Sequence, residues 1–339
     1  MRNPDAPAVP IAGDPTEDSP EITVEHRPPW KLALRLTVSI ALLTLLLSKI
    51  PLSAALPRQP QIATLAWFSA GTACSILAIL GSAWRWQLAF AVFDRHVPIR
   101  TLTSHTFAGQ FVGNVLPSTI GGDVLRVTRG GTSVQSRPLS FAAVVLERLT
   151  GFIALPFIAF TGLALTPSLF EHHGGWDTLA IGVGALVALG AIVALVGSRR
   201  LGGRFRHHTD WKQFLGALHE GLAHLRRQPR RGLELVGAAL VYQLTTVAVV
   251  YCAVRTIDAP VGFTVIMAFA PAVAMAQVLP LSLSGLGVRE GMLVLLLGSV
   301  GVSTGAAIGV GLCWYACTLI ASLVGAPPFA FGGRKRQRT

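Results

Sequence analysis

Six long apolar stretches limit what this chain can fold into: Leu32–Ser48, Ala63–Ala83, Phe152–Leu165, Leu179–Val196, Leu235–Ala253 and Ala306–Val324. Most approach the ~20 residues a helix needs to cross a hydrocarbon layer ~30 Å thick. In that layer backbone N–H and C=O groups have no water to bind, so runs of this kind must be helical. Only 13% of the 339 residues are charged and 52% are hydrophobic, whereas an ordinary soluble domain is about 25% charged. The expectation is an all-α polytopic membrane protein with about six full transmembrane helices.

The net charge of +12 is concentrated beside those helices. Arg199, Arg200, Arg204, Arg206, Lys212, Arg226, Arg227, Arg230 and Arg231 share one inter-helix loop, and Arg334, Lys335, Arg336 and Arg338 form the tail. Such clusters mark the cytoplasmic side and attract anionic lipid, so nucleic acid is not the expected partner. Residues 1–29 are rich in proline and hold six Asp or Glu, as disordered tails do. The membrane domain is then 30–330, with halves at about 63–197 and 234–328, a basic amphipathic linker at 198–233 and a basic tail at 331–339. The chain is expected in the cytoplasmic membrane with both termini cytoplasmic. In the linker, Trp211, Phe214, Leu215, Leu218, Leu222 and Leu225 recur at helical spacing, which predicts a helix lying on the leaflet. The sequence Trp84–Arg85–Trp86 is expected to close the second helix at the interface, where tryptophan is enriched. Cys74, Cys252, Cys313 and Cys317 lie within apolar runs and read as small buried side chains; no metal or other cofactor is expected.

One pattern occurs in both halves. Residues 115–127 read VLPSTIGGDVLRV and residues 278–290 read VLPLSLSGLGVRE. Each copy has V-L-P, then a hydroxyl residue, a glycine and an arginine at matching distances from the proline. Pro117 and Pro280 interrupt a helix, because proline lacks a donor and clashes with the preceding turn. Gly121, Gly122, Gly285 and Gly287 permit close approach and unusual backbone shapes. Unwound backbone at membrane depth survives only inside protein or beside a watery cavity. Ser118, Thr119, Ser282 and Ser284 can satisfy the freed groups or hold a ligand. Arg126 and Arg289, with backbone N–H groups at the start of the next half-helix, would form an anion site. The alternative is that the arginines tie the hairpins to Asp123, Glu147 or Glu290, since intramembrane charges usually have partners. Glu147 and Arg148 read as internal partners of the first hairpin.

The charges also constrain the path of the chain. With the basic loop and tail inside, Thr101–Pro117 must begin and end on the cytoplasmic side, and residues 261–301 must begin and end outside. The second stretch could also cross twice. The shared motif favours two oppositely oriented re-entrant hairpins in an inverted repeat, a recurring transporter design.

The run from Asn114 to Arg126, then LERLTG at 146–151 and LSGLGVREG at 283–291, resembles the transmembrane region of lysylphosphatidylglycerol synthases and the wider group of flippase-like integral membrane proteins. The resemblance covers about residues 30–330. It implies inverted halves with re-entrant helices and a role in moving modified phospholipids between leaflets; related members are associated with hopanoid or glycolipid pathways. Glu147 stands where that family would have aspartate. The soluble aminoacyl-transferring domain would follow the membrane region, yet the sequence stops at Thr339, so lysyl transfer is not expected.

The combined expectation is a lipid translocase whose headgroup site comprises Asn114, Pro117, Ser118, Thr119, Gly121, Gly122, Asp123, Arg126, Glu147, Arg148, Pro280, Ser282, Ser284, Gly285, Gly287, Arg289 and Glu290, with membrane lipids as partners. Two alternatives stand beside it. One is a lipid-modifying enzyme using Asp123 and Glu147 as acid and base. The other is a non-catalytic partner of a lipid-biosynthesis enzyme.

Overall fold

The computed structural model describes residues 61–115, 121–197, 212–277 and 287–331. Among these are eleven α-helices and one short 3-10 helix, Pro167–Glu171. The α-helices are α1 (Ile62–Val92), α2 (Ile99–Val115), α3 (Gly121–Val134), α4 (Arg137–Leu165), α5 (His173–Gly197), α6 (Lys212–Arg227), α7 (Pro229–Thr256), α8 (Phe263–Ala276), α9 (Val288–Ser299), α10 (Thr304–Leu323) and α11 (Ala326–Phe331). Five are long and apolar enough to cross a membrane: α1, α4, α5, α7 and α10. The protein is thus an all-helical, multi-pass membrane protein. The expected span Leu32–Ser48, the two chain termini and the loop arginines at 199–206 lie outside the described residues.

Local sequence sets the helix boundaries. The Ser136 side chain accepts a hydrogen bond from the Leu139 N–H and starts α4, and Ser303 does the same for α10 through Ala306. Each cap supplies one of the orphan donors of the first turn. Asp94, directly after α1, and Asp258, directly after α7, both have positive φ, at 54° and 59°. Gln135 (φ 56°) and Gly301 (φ 85°) hold matching places before α4 and α10. The order long helix, two short helices, long helix therefore occurs twice, with similar punctuation. The short members α2, α3, α8 and α9 have 17, 14, 14 and 12 residues, fewer than the ~20 of a typical crossing helix.

The most extensive helix pair is α1 with α7, one from each half, followed by α4 with α8. The main core brings together Leu155, Ile158, Val247, Phe269, Leu296 and Trp314 from α4, α7, α8, α9 and α10. A second cluster surrounds Trp86, Phe90, Leu102 and Leu235. Lipid gives little hydrophobic drive between helices, so close packing and polar contacts must join them. The outward side chains Leu65, Phe157, Val187 and Val241 are exposed, as a lipid-facing surface requires.

Contacts define the two ends of the molecule. At one end Arg231, on the first turns of α7, donates to Asp94 (2.8 Å) and to the Ala91 carbonyl at the close of α1. Arg129 on α3 donates to the carbonyls of Pro328 and Phe329 on α11 at 3.0 and 3.2 Å. At the other end Thr166, after α4, donates to Thr264 at the start of α8 (2.8 Å), and Ser299, closing α9, lies against Gly174 of α5.

Two expectations are corrected. The Trp84–Arg85–Trp86 stretch does not end its helix at an interface: α1 continues to Val92, and Arg85 and Trp86 are buried. An acid on another helix (Glu147, described below) recruits the arginine inward. The amphipathic α6 does not reserve its apolar face for lipid. Leu218 is buried against Val92 and Leu146, with Leu222 and Leu225 beside it, and Phe214 meets Phe141 edge-on at 5.3 Å. The apolar stripe was legible; its protein partner was not.

Candidate functional site

The two motif arginines have different surroundings. Gly287 has φ 86°, a conformation that glycine adopts without penalty, and it starts α9. Arg289 therefore stands on the first turn of that helix. Its Nε and Nη2 donate to Glu290 Oε1 at 3.0 and 2.6 Å, while Glu290 Oε2 accepts the Gly287 N–H at 2.7 Å. Glu290 is 0% exposed, so one carboxylate both caps the helix and neutralises the arginine. The guanidinium also lies 5.6 Å from the ring centre of Trp314 and 5.2 Å from that of Tyr315, within cation–π range.

Arg126 belongs to a second group. It pairs with Glu147 of α4, lies 3.7 Å from Asp123 and covers the Trp86 ring at 4.5 Å. Glu147 also accepts from the Ser82 hydroxyl at 3.0 Å and faces Arg85 Nη1 at 3.9 Å; Arg85 donates in addition to the Glu147 carbonyl. Arg148 donates to both oxygens of Asp123 at 2.8 and 2.7 Å. Three cations thus share two carboxylates. Among the described residues, Arg85 Nε, Arg126 Nε and Trp86 Nε1 are buried and have no hydrogen-bond partner. Glu147 and Arg148 thus pair with Arg126 and Asp123 of α3. The close approach asked of glycine is also present. A Cβ on Gly122 would collide with the carbonyl oxygen of Gly109 on α2.

A cavity of about 210 Å³ lies between the halves. Ser75, Ala78 and Ile79 of α1 and Gln110 and Asn114 of α2 line one side. Tyr242, Thr246 and Val249 of α7, Gln277 after α8, Arg289, and Trp314, Tyr315 and Thr318 of α10 line the other. Tyr242 links this space to the buried charges, because Arg85 sits over its ring at 4.7 Å. Tyr315 donates to the Asn114 carbonyl at 3.0 Å and ties the two halves together. Of the residues selected from sequence, Asn114 and Arg289 line the cavity and Gly287 and Glu290 support Arg289. Asp123, Arg126, Glu147 and Arg148 form the separate ion cluster, and no interaction among the described residues joins Arg126 to Arg289. Gly121 and Gly122 begin α3. Pro117, Ser118, Thr119, Pro280, Ser282, Ser284 and Gly285 lie outside the described residues.

Sequence reading missed Gln110, Tyr242, Gln277, Trp314 and Tyr315. They come from α2, α7, the end of α8 and α10, and only Trp314 and Tyr315 are neighbours in sequence. Their signal was subtler: amide and phenol groups inside apolar segments, where polar atoms must meet protein or water. Arg85 gave the same signal more strongly. The four cysteines are free, and Cys252, Cys313 and Cys317 are buried.

No curated protein matches the chain. The family model described as the lysylphosphatidylglycerol synthase TM region matches residues 32–325, nearly the whole of the membrane domain, and by that match this chain belongs to the lysylphosphatidylglycerol synthase transmembrane-region family.

Proposed function

We propose that this protein is a lipid translocase and that the cavity between its halves holds the headgroup in transit. The observation that carries the reading is the position of Arg289. A buried guanidinium lines a polar cavity whose walls come from both halves of an otherwise apolar protein. Pockets that enclose an entire drug-sized ligand occupy ~300–1,000 Å³; this smaller space suits a headgroup, with the acyl chains left in the bilayer. The ion cluster around Glu147 has a positioning role in this reading, fixing α3 against α1 and α4.

The proposed path of the chain is two re-entrant hairpins, α2–α3 and α8–α9, entering from opposite faces. Its support is that the α1–α7 and α3–α11 contacts gather at one end, while Thr166–Thr264 and Gly174–Ser299 gather at the other. The basic residues around α6 put the first end in the cytoplasm, by the same charge bias that orients other multi-pass proteins.

Purified protein in vesicles carrying fluorescent phospholipid in both leaflets tests the proposal. Dithionite should bleach only the outer-leaflet dye in empty vesicles and nearly all of it in vesicles containing the protein. Unchanged bleaching would refute translocation by the protein alone, and a chemically altered lipid would replace it with enzymatic function.

A further inference from the structure

We infer that the cavity selects lipids whose headgroup is a phosphate joined to an uncharged polyhydroxyl group, and that it rejects aminoacyl and other cationic headgroups. This rests on the reading of the cavity as a headgroup site and names what that site accepts.

The charge inventory points this way. Among the described lining residues Arg289 is the one with a formal charge. Its partner Glu290 is 0% exposed and engaged with both Arg289 and the Gly287 N–H, so it offers the cavity no carboxylate. The Arg289–Glu290 pair therefore turns its positive side to the cavity and its carboxylate away, so an ammonium entering here would be repelled and a phosphate attracted, in surroundings where charges interact more strongly than in water.

Aromatic rings could in principle stand in for a carboxylate, because they form cages for cationic headgroups. Here each of the three rings already holds a cation: Trp314 and Tyr315 hold Arg289, and Tyr242 holds Arg85. A second positive group at those rings would be repelled.

The remaining polar groups suit hydroxyls. Thr246 donates its proton to the Tyr242 carbonyl, Thr318 to the carbonyls of Trp314 and Tyr315, and Ser75 to the Gly71 carbonyl. A hydroxyl whose proton is engaged keeps lone pairs that accept. Gln110 and Asn114 bring amides that both donate and accept. A phosphate beside Arg289, with neighbouring hydroxyls donating to Thr and amide oxygens, satisfies this set.

The test is competition for a fluorescent phosphatidylglycerol bound to the purified full chain in detergent. Unlabelled phosphatidylglycerol should displace the probe about tenfold more effectively, or better, than lysyl-phosphatidylglycerol. Gln277→Glu places a carboxylate in the cavity and should narrow or reverse that ratio; Asn114→Asp is a second route to the same charge, and Gln277→Met controls for shape. Equal displacement by the two lipids in the wild type overturns the inference while leaving a lipid site in place. Displacement by neither overturns the headgroup site as well. Displacement by soluble glycerol phosphate as strong as by the lipid would assign the cavity to a soluble phosphate ester and likewise overturn the proposal.

Discussion

Replacing Glu147 with glutamine should destabilise the protein far more than removing any surface charge. The carboxylate is the buried anion that Arg126 and Arg85 share, and those residues are only 5% and 3% exposed. At an effective dielectric near 20, a pair of charges 4 Å apart interacts by about 4 kcal/mol. Glutamine keeps one acceptor for Ser82 or Arg126 but no charge, and Arg126 retains only Asp123 at 3.7 Å. Breaking a buried pair by removing one partner costs about 3–5 kcal/mol, and that is the loss expected. Among the described residues Nε of both arginines has no hydrogen-bond partner, so the lost carboxylate adds to donors that are already unsatisfied. The assay is reversible unfolding in mixed micelles of dodecyl maltoside and SDS, followed by far-UV circular dichroism. Arg230→Gln is the control: its side chain is 92% exposed, and its pairing with Glu234 should contribute about 0–1 kcal/mol. Glu147→Asp should fall between them, because the shorter side chain cannot reach both guanidinium groups. A Glu147→Gln variant no less stable than Arg230→Gln would refute the buried shared anion.

Arg289→Lys should preserve the fold, since Glu290 keeps a cation, yet weaken phosphatidylglycerol displacement about tenfold through loss of the forked donor; unchanged displacement would remove Arg289 from the site. Gly122→Val should cost about 1–3 kcal/mol by forcing α3 away from the Gly109 carbonyl, as overpacking does elsewhere, and the same micelle titration measures it. Ser136→Ala should cost about 1 kcal/mol through the lost cap on Leu139, so a neutral result would mean water replaces it fully. In a cysteine-free background, a thiol at Ser168 should react with an impermeant reagent on intact cells and one at His96 should not; the reverse pattern would invert the proposed topology.

The long helices were legible because hydrophobic length is a local property. The apolar runs from Ala63, Leu179 and Leu235 fall within α1, α5 and α7, that from Ala306 passes the end of α10 by one residue, and Phe152–Leu165 is the second part of α4. Helix ends were less legible. Residues such as Trp86 and Arg85 looked interfacial until Glu147, more than sixty positions away, supplied the reason to bury them. The partners of Arg126 and Arg148 could be anticipated from the few acids available in an apolar chain. The cavity could not, because its amides and rings converge from four helices or helix ends, and convergence is a property of packing. The shared motif also suggested equal roles for Arg126 and Arg289, whereas one is enclosed by acids and an indole and the other stands at a helix start facing open space.

Glu290 has a kinetic consequence. A translocase fails if it grips its cargo, since the well that captures a headgroup also sets the rate of escape to the far leaflet. Conducting sites share this requirement: favourable enough to enter, weak enough to leave. A phosphate approaching Arg289 must compete with a carboxylate already 2.6 Å from the guanidinium, and that carboxylate cannot simply depart, because it is also bonded to the Gly287 N–H. In the proposed translocase the resident anion would therefore keep the well shallow, staying in place and sharing the guanidinium with each headgroup. Turnover, more than occupancy, is the property that the first turn of α9 is constructed to favour.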